Sequence, residues 1–173
     1  KALYQRARLG LGYLPQEASI FRKLTVEENF WAVLDNMSVS FEEKLSIFET
    51  VVDELKIRPI LKNMAYTLSG GERRRVEIGR SLAYQPKIIL LDEPFAGIDP
   101  LAILELQKMI LHLKEKGIGV LITDHNVRDT LKICDYAYLL HHGKVVEEGT
   151  RESIASSENA KKIYLGDSFK FDH

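Results

Sequence analysis

Cysteine is nearly missing from this 173-residue chain. Cys134 stands alone, so no internal disulfide can form, and a single thiol fits a reducing compartment better than a disulfide-stapled secreted scaffold. An excess of one charge is missing as well. Twenty-four Lys and Arg against 25 Asp and Glu leave a net of -1, which argues against a general nucleic-acid binder with its basic surplus. Long apolar runs are absent; stretches such as Ile88-Ile89-Leu90-Leu91 fall far short of the ~20 residues that cross a bilayer. No Met and no signal-like apolar segment opens the chain at Lys1. No internal repeat, linker or low-complexity stretch is present, which excludes collagen-like and disordered chains. What remains is 45% hydrophobic residues on a length that suits one domain with a real core.

Leu11 to Leu14, closed by Pro15, reads as a strand leading into a loop. Gly10-Leu11-Gly12 resembles the start of a dinucleotide fingerprint, but Pro15 stands where the third glycine belongs, so close packing at a strand start is the better reading. Thr25 with Glu28 forms a capping box, opening a helix through Phe30, Val33 and Leu34. Ser40 with Glu43 forms a second, and Phe41, Leu45, Phe48, Val52 and Leu55 predict one apolar face on a helix ended by Pro59. Lys87–Leu91 and Val120–Thr123 read as buried strands covered on both faces. Between them, Asp99-Pro100 starts a helix that runs through Leu106, Met109, Ile110 and Leu113 to Gly117. A hairpin, 136–140 with 144–147, turns at His142-Gly143, and the chain from Thr150 is helical and then irregular. Strands separated by helices imply parallel crossovers and an α/β sheet.

Four short segments carry chemistry. Asp92-Glu93 are adjacent carboxylates at the end of a strand, where open parallel sheets place ligands; one can hold Mg²⁺ and the other can orient or deprotonate a water. Ser69-Gly70-Gly71-Glu72 opens a helix, and two glycines there let backbone N–H groups approach an anion, although a simple helix-capping turn is the plainer alternative. Gln16 follows the first strand, and His125 follows the strand ending at Thr123. His141 and His142 sit in the hairpin turn with no partners at metal spacing, and Arg73-Arg74-Arg75 reads as a solvated helix face.

In this order and spacing the segments resemble the nucleotide-binding ATPase subunit of ABC transporters, over essentially the whole chain. Gln16 matches the Q-loop, Leu68–Glu72 the signature, Ile88–Asp92 the Walker B strand, Glu93 the catalytic glutamate, Ala96–Asp99 the D-loop and His125 the switch histidine. The stretches Gly12–Arg22, Ser69–Ile78 and Thr123–Arg128, with Tyr164-Leu165-Gly166, look like the lipopolysaccharide-export ATPase (LptB) family; branched-chain amino acid importer ATPases are the nearest competitor, and Glu17–Arg22 favours the exporter.

The resemblance implies a partial P-loop NTPase fold with a mostly parallel sheet and an α-helical signature subdomain. Its parts would be a strand and Q-loop over 1–24, the signature subdomain over 25–80, the Walker B, D-loop and H-loop sheet core over 81–150, and a tail over 151–173. It also implies catalytic roles for Glu93 and His125, and nucleotide contacts from Gln16, Ser69, Gly70, Gly71, Glu72 and Asp99. Mg²⁺ would be held by Asp92 and Gln16, and ATP would be sandwiched with a second copy of the chain. Transmembrane permease subunits would dock near Phe21 and Arg22 at the cytoplasmic face of the inner membrane, with Phe30 a candidate by position for which core packing is the better reading, and Phe169 and Phe171 either packing on the partner chain or hanging free. No nucleic acid is implied. A soluble ABC-type protein or a non-catalytic module is the reading from another class.

One part of the pattern is missing. No Gly-x-x-x-x-Gly-Lys-Ser/Thr occurs; around the only Gly-Lys pair, Gly143-Lys144, Tyr138 and Val145 occupy the glycine and hydroxyl positions. The loop that cradles phosphates is therefore lacking, and with it most phosphate affinity. An N-terminal truncation is the expected cause. An inactive fragment with an exposed sheet edge, prone to self-association, is the expected consequence.

Overall fold

Backbone chemistry punctuates the chain much as its sequence suggests. A computed structural model describes residues 9–160, and the chain divides after Thr123 into two compact units, Lys1–Thr123 and Asp124–His173. Tyr164–Gly166, Phe169 and Phe171 lie outside the described residues. In the first unit, Gly10 adopts φ +89° and leads into β1 (Leu11–Leu14). Gly12 is closely packed: a Cβ there would sit 3.3 Å from Ile89 and Pro86. Helix α1 (Val26–Leu34) starts at a complete capping box between Thr25 and Glu28. At α2 (Phe41–Glu54) only the serine half is made, with Ser40 Oγ accepting from Glu43 N at 3.1 Å.

Two expectations for α2 are corrected. The buried stripe is Ile47, Phe48, Val51 and Val52, while Phe41 and Leu45 are exposed. Phe41 stacks instead on Trp31, with ring centroids 5.8 Å apart. The helix also ends before Pro59: Leu55 caps it and Lys56 reverses the backbone at φ +53°, so Pro59 opens a separate 3₁₀ turn, Arg58–Ile60.

Helix α3 (Gly70–Leu82), β2 (Ile88–Asp92), α4 (Pro100–Glu115) and β3 (Gly119–Thr123) complete this unit. The strands form one parallel sheet in the order β1-β2-β3, with Leu14 beside Leu91 and Asp92 beside Thr123. Their carboxyl ends therefore lie together. Helix α3 packs on β1 and α4 on β3, burying Leu14, Ile89 and Leu91. The expectation that β2 and β3 are covered on both faces does not hold among the described residues: Ile88 and Leu121 are 47% and 56% exposed. An unbroken apolar run reports side-chain type on both faces, not whether a partner covers them.

Phe30, considered above as a docking residue, is fully buried and meets Phe48 edge-on at 5.9 Å; its place is the core. Asp99 caps α4 by accepting from the N–H groups of Leu101 and Ala102 at 3.1 and 3.0 Å, with Pro100 following it. Asp99→Ala is expected to cost about 1 kcal/mol of stability, measured by denaturant unfolding, because two N–H donors lose their partner.

The second unit begins with α5 (Val127–Leu131), capped by Asn126, followed by the hairpin of β4 (Tyr136–His141) and β5 (Lys144–Thr150). Its turn is at His142 and Gly143, both at positive φ (+47° and +73°), the backbone that favours glycine at such a turn. His141 and His142 are exposed, as expected for solvated turn residues. Helices α6 (Arg151–Ser156) and α7 (Glu158–Ala160) follow. Leu131, Leu139, Ile154 and Ala160 form this unit's core, with Cys134 packed against it, and burial pushes that thiol's pKa upward. Among the described residues, no helix is long and apolar enough to cross a membrane.

Candidate functional site

The carboxyl ends of the three parallel strands gather the polar side chains of the first unit. Gln16, just beyond β1, donates from Nε2 to Glu93 Oε2 at 2.8 Å. Glu93 follows β2 with its backbone at φ +44°, an unusual conformation for a residue with a Cβ. It is pinned on both sides: its N–H donates to Thr123 O at 2.7 Å, and its carbonyl accepts from Arg74 Nη2 at 3.0 Å. The Asp92 carboxylate accepts the Thr123 hydroxyl at 2.5 Å and the Tyr13 hydroxyl at 3.4 Å. Gln16, Asp92 and Glu93, proposed from sequence as one constellation, are thus brought together.

The donor set is hard oxygen. Asp92 and the amide oxygen of Gln16 fit a cation that takes oxygen ligands and keeps much of its water, as Mg²⁺ does. Among the described residues, no cluster of three or more His, Cys, Asp and Glu forms a cage of its own.

Ser69 and Glu72 form a reciprocal capping box at the start of α3. Ser69 Oγ donates to Glu72 Oε2 at 2.7 Å and accepts from Glu72 N at 3.3 Å, while Ser69 N donates to the same carboxylate at 2.9 Å. The Ser69 hydroxyl and then its backbone N–H hold the Glu72 carboxyl below its ordinary range. Gly70 and Gly71 stand where α3 meets the turn before α4: a Cβ on Gly71 would come within 2.6 Å of Ala102, and one on Gly70 within 3.2 Å of Ile98. Their first-turn N–H groups carry the positive end of the helix. Asp99 spends its carboxylate on capping α4. In the second unit, His125 is largely exposed, with Nδ1 3.8 Å from Asp124 Oδ1.

The reading of Arg73-Arg74-Arg75 as a solvated face is corrected at its centre. Arg74 is buried and donates to Pro15 O at 3.0 Å, Asp92 O at 2.9 Å, Glu93 O at 3.0 Å and Glu77 Oε2 at 3.3 Å. Buried Glu77 in turn accepts from Ser19 N at 2.8 Å and Ile20 N at 3.3 Å. Arg80 donates to Ser19 O at 2.6 Å, and its guanidinium lies 4.4 Å over the ring of Phe21. Burial lowers the Arg80 pKa from its ordinary value. Sequence reasoning missed all three. The available signal was their three-residue spacing on a helix whose neighbouring positions, Val76, Ile78 and Gly79, leave little room for a solvated side.

The family model for ABC transporters matches residues 2–96. A probable ABC transporter ATP-binding protein of Azorhizobium caulinodans is 52% identical over 97% of this chain, which spans 60% of that protein. The lipopolysaccharide export system ATP-binding protein LptB of Acidithiobacillus ferridurans is 51% identical over 97% of this chain and 70% of its own length. Among solved structures, an ATP-binding cassette of an ABC transporter in its ADP conformation superposes with a TM-score of 0.81 at 27% identity, covering 96% of this chain and 72% of that one.

Proposed function

We propose, because the chain belongs to the ABC transporter ATP-binding family, that it is the signature-bearing part of an ATPase that drives lipopolysaccharide export. The observation that carries the ATPase reading is the 2.8 Å hydrogen bond between Gln16 and Glu93 beside the Asp92 carboxylate, at the strand ends where α/β sheets do their chemistry. Identity of about half to LptB proteins supports the exporter reading.

In this reading Glu93 orients the attacking water and takes its proton, and Gln16 holds that carboxylate in place through its amide. Asp92 and Gln16 would hold Mg²⁺, whose charge offsets that developing on the transferred phosphoryl group. Gly70 and Gly71 offer their first-turn N–H groups to the triphosphate held by a second copy, at a turn shaped by the Ser69–Glu72 capping box; Asp99 lines the same junction, and His125 donates to a phosphate oxygen. Permease subunits at the cytoplasmic face of the inner membrane would dock near exposed Phe21 and Arg22.

The 173 residues on their own are expected to release no phosphate from ATP above background, because no cradle for the phosphates occurs among them, while a form carrying a P-loop ahead of them turns ATP over. Turnover by the 173 residues alone that disappears in Glu93→Gln would overturn this. The transport reading is tested by purifying the full-length protein from membranes and identifying its companions by mass. Transmembrane subunits whose ATP-dependent activity in vesicles extracts lipopolysaccharide support it; amino acid permeases as the companions would refute it.

A further inference from the structure

Arg74, Glu77 and Arg80 recur every third residue on α3 and so line one side of the helix. They fasten two separate pieces of chain to it, the stretch 15–21 and Asp92-Glu93. The planar guanidinium of Arg74 spans both ends of the Gln16–Glu93 contact: it holds the carbonyl of Pro15, next to Gln16, and the carbonyl of Glu93 itself. Glu77 neutralises that guanidinium and takes the N–H groups of Ser19 and Ile20 on its other oxygen. Arg80 holds the Ser19 carbonyl and lies over Phe21, which is 47% exposed. Fully buried Asn29 ties Phe21 from the other side, accepting from its N–H at 2.9 Å and donating to its carbonyl at 3.0 Å.

We propose that Arg74 and Glu77 are positioning residues forming a clip that fixes the 15–20 loop against the Glu93 backbone and so sets where the Glu93 carboxylate stands. A buried ion pair adds little net stability over apolar residues of the same shape, so the pair is poorly explained as a stabiliser. It is well explained as a connector, because the two Nη atoms of one planar group reach acceptors on separate pieces of chain. Lysine carries its three donors on a single nitrogen and cannot reproduce that spread. The consequence for turnover rests on the ATPase reading above; the clip itself does not.

The test uses the full-length protein with Arg74→Lys and Glu77→Gln, reading amide hydrogen exchange at Ser19 and Ile20 and separating kcat from KM for ATP. In folded Arg74→Lys, kcat is expected to fall roughly 100-fold with KM nearly unchanged, the cost of misplacing a reacting group by about 1 Å. Glu77→Gln is expected to speed exchange at Ser19 and Ile20 about tenfold and to lower kcat, though Glu77 reaches Glu93 only through Arg74. Unchanged exchange in Glu77→Gln, or wild-type kcat in folded Arg74→Lys, would overturn the clip. Should Arg74→Lys not fold, the Glu77→Gln arm decides alone. If the wild-type protein turns over no ATP, the ATPase reading fails, and the exchange rates still report whether the loop is held.

Discussion

Glu93→Gln is expected to lower ATP turnover by about 10²–10⁴-fold, the range that a positioned general base contributes, while nucleotide binding stays close to wild type. The substitution keeps the shape of the side chain and an oxygen that can accept the 2.8 Å bond from Gln16, so the local geometry has no reason to change. What disappears is the ability to take a proton from water. The backbone remains held by Thr123 and Arg74, so misfolding is not the expected cause of the loss. Phosphate release and the binding of a fluorescent nucleotide, measured on the same full-length preparation, separate the two effects. A variant that retains turnover within a few-fold would remove Glu93 from the reaction.

Arg74→Met is the largest expected loss of stability, about 3–5 kcal/mol, because it strands the buried Glu77 charge and leaves the carbonyls of Pro15, Asp92 and Glu93 without their donor. For a chain of this size that corresponds to a fall in melting temperature of about 10 °C, read by circular dichroism. The double variant Arg74→Met with Glu77→Leu should recover part of the loss, since removing both charges ends the penalty of a lone one. A single variant that melts with the wild type would mean that water reaches this pair and that its burial is not felt.

Element identity was largely legible in the residues, and coverage was not. Thr25 with Glu28 and Asp99-Pro100 mark helix starts by local hydrogen bonding, and His142-Gly143 marks a turn by backbone preference, so each is decided within a few residues. Which side of a strand is covered depends on partners far away in sequence, and Ile88 and Leu121 look the same whether covered or bare. The acidic pair stood out at a strand end, where open parallel sheets place ligands, whereas Gln16 stood out only through its place in the family pattern. Arg74 could not, because a basic triplet on a helix ordinarily faces water, and only the arrival of three carbonyls from residues 15, 92 and 93 explains its burial.

The left-handed backbone at Glu93 has a consequence for anyone seeking a hardier version of this protein. Glycine or asparagine would relax that peptide, so a search guided by heat resistance alone would select one of them at position 93. Such a variant would melt later and lose the carboxylate assigned to the water, so tolerance of heat and speed of hydrolysis pull in opposite directions at a single Cα.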